Sequence, residues 1–130
     1  MKGKVRMKIR TLSNKGFTLV EIMIVVAIIG LLAAIAIPNF VRARTQSQKN
    51  ACINNLRQID GAIQQWALEN KQAADATVAG ANIFPYLKSS VVCPSGGVAF
   101  VDSYTLVDVQ TKPACKLVAA THVLPADTSN

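Results

Sequence analysis

The 130-residue sequence predicts an α+β protein in which one long amino-terminal helix packs on a small antiparallel β-sheet. Residues 17–38 are almost entirely apolar, and residues 39–71 carry apolar side chains at helical spacing. Residues 72–130 contain short β-rich runs separated by turn residues. Residues 1–16 precede these three segments and form a basic leader.

Most of the net charge of +7 lies before Phe17. This leader contains no acidic residue, and its basic residues are Lys2, Lys4, Arg6, Lys8, Arg10 and Lys15. A chain cut after Gly16 keeps eight Lys and Arg against seven Asp and Glu, so its side chains carry a net charge of +1. The positive charge therefore predicts membrane topology, with the leader in the cytoplasm, rather than a nucleic-acid partner.

Residues 17–37 form an apolar run of 21 residues whose only polar members are Thr18 and Glu21. As an α-helix this run spans about 31 Å, which matches a bilayer hydrocarbon core of about 30 Å. It can cross a membrane as a plain anchor, as a signal peptide cleaved after Ala36, or as an inserted helix that later assembles with others. The run is longer than the apolar region of a signal peptide, and a plain anchor does not account for its carboxylate.

Glu21 is the residue of this run that most needs an explanation. An acidic side chain at the centre of a membrane helix costs about 2.5–3.5 kcal/mol. A cut between Gly16 and Phe17 would create an ammonium group within one helical turn of Glu21, on the same helix or on a neighbouring one. Alternatively, the Glu21 side chain extends to the membrane interface and interacts with the positive end of the helix dipole.

The residues from Gly16 to Pro38 resemble the amino-terminal signature of type IV pilins and type II secretion pseudopilins. The resemblance covers about a fifth of the chain. The matching strings are Gly16-Phe17-Thr18-Leu19-Val20-Glu21, Ile22-Met23-Ile24-Val25-Val26-Ala27-Ile28-Ile29-Gly30 and Leu31-Leu32-Ala33-Ala34-Ile35-Ala36-Ile37-Pro38.

This resemblance implies a pilin-like fold and a specific maturation of the chain. A membrane prepilin peptidase would cut after Gly16 on the cytoplasmic side, and the same enzyme would N-methylate the new amino terminus at Phe17. Glu21 would then pair with the Phe17 amino group of an adjacent subunit. Because such a contact joins different surfaces of two copies, it does not close and would generate a filament.

The resemblance also implies the function and the partners. The chain would be a structural subunit of a type IV pilus or a type II secretion pseudopilus, either as a homopolymer or among other pilin-like subunits. Its partners would be the prepilin peptidase and an inner-membrane assembly platform with its ATPase. Before assembly it would span the inner membrane once, and afterwards it would lie in a periplasmic or extracellular filament.

Gly30 and Pro38 interrupt the helical pattern of the apolar run. Pro38 lacks a backbone donor and obstructs the carbonyl one turn earlier, so a kink or a loosened turn is predicted between Ala34 and Pro38. Gly30 weakens the preceding turn or allows two helices to pack closely. Both residues would permit a loss of helicity during assembly.

Residues 39–71 continue the helix as an amphipathic segment. Five apolar side chains recur at spacings of three or four residues: Ile53, Leu56, Ile59, Ile63 and Trp66. This stripe predicts a face buried against residues 72–130. In that region a linker leads to a short helical turn or packed loop at residues 83–87, and strands are predicted at residues 98–101, 104–109 and 115–118.

The three cysteines receive different interpretations. Cys93 and Cys115 bracket the predicted strands, and outside the cytoplasm such a pair is expected to form a disulfide. That bond would contribute about 3 kcal/mol to the stability of a small core. Cys52 lies in the helix, where a buried or subunit-facing thiol is predicted.

A zinc site built from Cys52, Cys93, Cys115 and His122 is the alternative. The spacing lacks the Cys-x-x-Cys or Cys-x-x-His pairs of common zinc sites, so no metal and no cofactor are predicted. His122 is then a surface or packing residue. With one histidine and no recognisable nucleophile and base, the chain is not expected to be an enzyme. The competing class is a membrane-anchored or secreted module that does not polymerise.

Overall fold

The computed structural model describes residues 15–89 and 91–125. The dominant element is helix α1, Leu19–Glu69, with 51 residues. Helix α2, Gly80–Ile83, runs into a 3₁₀ turn at Phe84–Tyr86. Helix α3, Phe100–Ser103, is followed by strands β1, Tyr104–Thr105, and β2, Ala114–Cys115. The predicted α+β class with one long helix is confirmed.

The chain divides into two compact units at Pro38, and α1 contributes to both. In the first unit every described residue from Lys15 to Pro38 is exposed except Ala33, which is half-buried. This part of α1 is long and apolar enough to cross a membrane, and it is the one such span among the described residues. Its length and composition agree with the membrane segment predicted from the sequence.

The second unit contains the hydrophobic core. The predicted stripe is confirmed at its centre, because Leu56, Ile59 and Ile63 are fully buried. Ile53 and Trp66 lie at its edges and are half-buried. The buried face of α1 also includes small side chains outside the predicted stripe: Cys52, Ala62 and Ala67.

Helix α1 ends in a Schellman motif. The amide of Gln72 donates to the carbonyl of Ala67 at 2.9 Å, and the amide of Lys71 donates to the carbonyl of Leu68 at 3.4 Å. Lys71 adopts the left-handed conformation that this motif requires, with a φ of 52°. The predicted end near Lys71 is therefore correct to within two residues.

All three predicted strands differ in the structure, and the one predicted at residues 115–118 pairs only at Cys115, within β2. Residues 100–103 form α3 rather than part of a strand, and the predicted strand at 104–109 pairs only at Tyr104 and Thr105. The antiparallel register aligns Tyr104 with Cys115 and Thr105 with Ala114, and an isolated bridge joins Thr77 to Asp108. Alternation of apolar residues could not distinguish a short strand from a helical turn whose side chains pack the core.

Aromatic stacking explains why α3 is helical. Phe100 meets Phe84 edge-to-face with ring centroids 5.3 Å apart, and its centroid lies 5.5 Å from that of Tyr104. A helical turn places Phe100 and Ser103 on the same buried side, whereas a strand would alternate them between faces. The short turn predicted at residues 83–87 is confirmed by the end of α2 and the 3₁₀ turn.

Candidate assembly helix and a buried cysteine–histidine cluster

The amino-terminal end of α1 is closed by a capping box between Thr18 and Glu21. The Thr18 hydroxyl accepts a hydrogen bond from the Glu21 amide at 3.2 Å. In return, Glu21 Oε2 accepts bonds from the Thr18 amide at 2.8 Å and from the Thr18 hydroxyl at 2.9 Å. The Glu21 carboxylate and the Thr18 hydroxyl therefore each satisfy one backbone donor that a helix start leaves without an intrahelical partner.

The capping role of Glu21 was not predicted, although the sequence contains the pattern that indicates it. A Thr followed three residues later by Glu is the sequence pattern of a capping box. Within the described subunit Glu21 is bonded to Thr18, while Gly16 and Phe17 precede the helix and are exposed. Cleavage after Gly16, methylation of Phe17 and pairing of Glu21 between subunits stay predictions, and residues 1–14 of the leader lie outside the described residues.

Gly30 and Pro38 lie within one uninterrupted helix. A methyl group added at Gly30 would meet no side chain or neighbouring segment within 4 Å. The helix continues through Pro38 to Glu69, so this residue does not end it. The predicted kink and the loosening on assembly stay predictions.

The second unit contains a cluster of Cys52, Cys93, Cys115 and His122. One ligand atom from each residue lies within 4.8 Å of all the others, and all four side chains are buried. Cys93 Sγ lies 3.6 Å from Cys115 Sγ and 3.9 Å from His122 Nδ1. Cys115 Sγ lies 4.0 Å from the same nitrogen. All three cysteines are free thiols, so the predicted disulfide is not formed in the structure and stays a prediction.

Four different local structures deliver these side chains. Cys52 lies on the buried face of α1, and Cys115 lies in β2 opposite Tyr104. His122 follows a turn in which its amide donates to the carbonyl of Val118 at 2.9 Å. The fourth ligand, Cys93, opens a tight turn.

The turn at Cys93 depends on two glycines. The amide of Gly97 donates to the carbonyl of Cys93 at 2.9 Å, and Gly96 has a φ of 120° that other residues rarely adopt. A Cβ at Gly97 would lie 2.9 Å from the Cys93 nitrogen and would also collide with the Ser103 hydroxyl. The chain can therefore pass this closely only without a side chain at position 97.

Tyr104 and Asn55 support one side of the cluster. The Tyr104 hydroxyl lies 4.0 Å from Cys52 Sγ and accepts a hydrogen bond from Asn55 Nδ2 at 3.0 Å. Asn55 also donates to the carbonyl of Val92 at 3.0 Å. Burial raises the pKa of Tyr104, so its hydroxyl stays protonated. These bonds fix α1 against the segment that leads into Cys93.

The thiols of Cys52 and Cys115 differ in their electrostatic environment. Burial, reinforced by hydrogen bonds to Cys93 and Cys115, raises the pKa of Cys52 to about 12. Burial also acts to raise the pKa of Cys115, but the amide of Val118, the Cys93 side chain and the amide of Leu117 contribute hydrogen bonds that bring it below its ordinary value. Anionic sulfur is therefore better stabilised at Cys115 than at Cys52.

The sequence spacing of Cys52, Cys93, Cys115 and His122 predicted no shared site, but the structure places the four side chains close together. The prediction rested on the lack of closely spaced pairs in the sequence, whereas tertiary packing brings together residues up to 70 positions apart. His122 is buried against two sulfurs and is not a surface residue. Sequence alone could identify the four ligand types but not their convergence.

Comparisons with known proteins agree with the amino-terminal features. Residues 12–37 match the family model of the prokaryotic N-terminal methylation motif. The chain is 47% identical over 62 residues to the type IV major pilin protein PilA of Myxococcus xanthus, which is 48% of this chain and 28% of that protein. It is 45% identical over 65 residues to the type IV major fimbrial protein FimA of Dichelobacter nodosus, which is 50% of this chain and 42% of that protein.

A further similarity concerns secretion systems. The chain is 29% identical over 90 residues to the type II secretion system core protein G of Klebsiella pneumoniae, covering 65% of this chain and 62% of that protein. These matches span less than two thirds of each relative's length, and no solved structure matches the chain. The chain thus carries the prokaryotic N-terminal methylation motif and is similar to type IV pilins, fimbrial proteins and a type II secretion core protein.

Proposed function

We propose that this chain is a structural subunit of a type IV pilus or a type II secretion pseudopilus. It is made as a precursor, cut after Gly16, N-methylated at Phe17 and polymerised through the first half of α1. The observation that carries this proposal is the exposed apolar helix of residues 19–38, which begins with one carboxylate and follows a Gly–Phe junction. The methylation motif and the similarity to pilins support it.

An exposed apolar helix needs an environment that covers it. Burial of apolar surface is worth about 25 cal/mol per Å², and the side chains of Ile24, Ile28 and Leu31 are each more than half exposed. A bilayer provides such an environment before assembly, and the helices of neighbouring subunits provide it in a filament. Transfer from one to the other exchanges two apolar surroundings and exposes little of the helix to water.

Cleavage supplies the charge that makes assembly directional. Both Thr18 bonds to the Glu21 side chain end on Oε2, so an ammonium group from an adjacent subunit could be accepted by Oε1. A buried carboxylate without such a partner would be strongly unfavourable. The uncut chain has no ammonium at Phe17, and processing therefore precedes polymerisation.

The partners follow from this life cycle. The precursor meets a prepilin peptidase in the membrane, and the mature subunit meets an assembly platform driven by an ATPase and other pilin-like subunits. The leader remains cytoplasmic and residues 39–130 face outward. The chain acts as a building block and performs no catalysis, and nucleic acid is not its partner.

Mass spectrometry of the mature amino terminus tests the processing step. The expected product begins at methylated Phe17. A product that begins at Ile37 would identify a secreted module cut by signal peptidase, and an intact Met1 would identify an anchor. Either of these products would overturn the proposal.

Two substitutions separate the capping role of Glu21 from its proposed role between subunits. Glu21→Gln keeps a capping box, since glutamine can replace glutamate at this position, but it removes the negative charge. Thr18→Val removes the cap hydroxyl and leaves the carboxylate. We expect Glu21→Gln to abolish filaments, as observed by electron microscopy, and Thr18→Val to reduce them only slightly. Equal defects in the two variants would show that Glu21 acts only as a helix cap.

A further inference from the structure

We propose that Cys52, Cys93, Cys115 and His122 bind one zinc ion, which fastens residues 91–122 to helix α1. The inference rests on the convergence of four buried ligand atoms within 4.8 Å of one another. It is independent of the proposed filament role, which depends on residues 16–38.

The distances among Cys93, Cys115 and His122 agree with tetrahedral coordination of a single ion, and Cys52 Sγ lies within 4.8 Å of all three. With Zn–S bonds of about 2.3 Å and a Zn–N bond of about 2.0–2.1 Å, tetrahedral angles place sulfurs about 3.8 Å apart and sulfur about 3.6 Å from nitrogen. The Cys93–Cys115 sulfur separation is 3.6 Å, and both sulfurs lie 3.9–4.0 Å from His122 Nδ1. Small side-chain shifts would complete the site.

The ligand set is also chemically specific. The sequence contains three cysteines and one histidine, and all four lie in this cluster. Three thiolates and one imidazole are a common structural zinc set, and soft sulfur ligands disfavour magnesium and calcium. Chance burial of four small or aromatic side chains would not require all three cysteines and the single histidine of the chain to meet at one point.

Zinc binding changes the protonation of this site. The ion displaces one proton from each thiol to solvent and takes the neutral imidazole as its fourth ligand, so the complex carries a net charge of −1.

A Cys93–Cys115 disulfide is the competing explanation, and it accounts for less of the geometry. It would connect two of the four residues at an S–S distance of about 2.05 Å. Cys52 and His122 would then be buried beside the bond without a shared role, although both side chains are less than 4% exposed. One zinc ion uses all four residues.

The location gives the ion a structural task. The sheet has only two residues in each strand, and α2 and α3 have four residues each. Small domains with so little regular structure commonly depend on a metal or a disulfide. Zinc would connect α1, the turn at Cys93, β2 and the turn at His122.

The primary experiment is metal analysis of the full chain purified in detergent without added chelator. We expect about one zinc per chain by elemental analysis. Replacement of the metal by cobalt should give the absorption spectrum of a tetrahedral cobalt–thiolate complex. Removal of zinc with a chelator should lower the midpoint of thermal unfolding, and added zinc should restore it. These measurements use the unaltered protein and do not depend on whether a variant folds.

Variants then assign the ligands. Cys52→Ser and His122→Ala are expected to lose most of the zinc during dialysis against a chelator. Ala51→Ser is the matched control for Cys52→Ser, because it places a serine at the adjacent, exposed position of α1 and removes no ligand, and it should retain the metal. Retention of zinc in Cys52→Ser and His122→Ala at the level of the unaltered chain would overturn the assignment.

Peptide mapping under nonreducing conditions decides between the two explanations. A chain without zinc whose Cys93 and Cys115 peptides are joined would overturn the proposal in favour of the disulfide. A different metal at the site would overturn the assignment of zinc. Both results would leave the filament proposal intact, because filament assembly and processing at Gly16 are measured separately.

Discussion

The two halves of α1 contain similar apolar residues in opposite surroundings. Up to Pro38 the isoleucines, leucines and valines are exposed, whereas beyond it Leu56, Ile59 and Ile63 are covered by the rest of the second unit. The first half thus depends on an environment outside the chain, and the second half has its environment inside the chain. The same type of residue serves folding in the second half of α1 and, in the proposed function, assembly in the first half.

The largest expected effect on stability comes from comparing alanine substitutions at two isoleucines, one in each half of α1. Ile59 is fully buried and Ile35 is 63% exposed. Ile59→Ala leaves a cavity in the core and should lower the free energy of unfolding by about 2–5 kcal/mol. Ile35→Ala should change it by less than about 0.5 kcal/mol. Urea unfolding of the full chain in detergent, followed by the fluorescence of the single tryptophan, Trp66, measures both values.

For filament yield the opposite pattern is expected, with the larger effect at Ile35 than at Ile59. Ile35→Ala removes apolar surface from the proposed assembly helix, so it should reduce filament yield while the stability of the second unit is unchanged. A loss of core stability in Ile35→Ala similar to that in Ile59→Ala would show that the two halves of α1 are not separate in function.

A smaller difference in stability is expected between alanine substitutions at two glycines of the second unit. Gly97→Ala introduces a Cβ that collides with the Cys93 backbone, so it should destabilise the protein by about 1–3 kcal/mol. Gly61 lies in α1, is exposed, and would place a Cβ in open space. Gly61→Ala should therefore stabilise the protein by about 0.5–1 kcal/mol.

The unfolding midpoints of these two variants should move in opposite directions. The metal content of Gly97→Ala is a useful additional measurement, because the turn that Gly97 permits also positions Cys93. If Gly97→Ala unfolds at the same urea concentration as the unaltered chain, the close approach at this turn is not a determinant of stability.

The sequence predicted the regions of the molecule that depend on local pattern. Continuous hydropathy identified the exposed half of α1, and a spacing of three or four residues identified Leu56, Ile59 and Ile63 as core. The Thr18–Glu21 capping box could also have been predicted, because it depends on two residues three positions apart. The Schellman end at Lys71 carried no such signal, since a lysine occupies the left-handed position that glycine usually takes.

The cysteine–histidine cluster could not be predicted because it depends on tertiary packing. Cys52 lies one turn before Leu56, and its position in the helix predicted only a buried or subunit-facing thiol. Its sulfur lies near Cys93, Cys115 and His122 because the turn at Gly97 positions Cys93 and the pairing of β1 with β2 positions Cys115. The prediction of strands was weak for the same reason, since Phe100 is held in a helical turn by contacts with Phe84 and Tyr104.

The smallest expected effect concerns Glu69, the last residue of α1. Like Glu21 at the other end of the helix, it is a hydrogen-bonded carboxylate, but it lies in the folded second unit. Hydrogen bonds from Tyr86, at 2.7 Å, and from Gln65 hold the pKa of Glu69 below its ordinary value. A lowered carboxyl pKa stabilises the fold above the ordinary pKa, and this contribution is lost as the pH falls through the lowered value. Tyr86→Phe should therefore raise the pKa of Glu69 and destabilise the protein slightly at neutral pH.

The stability difference between Tyr86→Phe and the unaltered chain should shrink below the lowered pKa of Glu69, where this carboxyl is protonated in both. Carboxyl-carbon NMR titration follows Glu69 directly, and urea unfolding at neutral and acidic pH measures the difference. Asp108 is the internal control, because its pKa is lowered by Thr111 and should not change in the variant. An unchanged Glu69 titration would mean that the Tyr86 bond does not hold this end of α1, which would leave the Schellman motif as its main restraint.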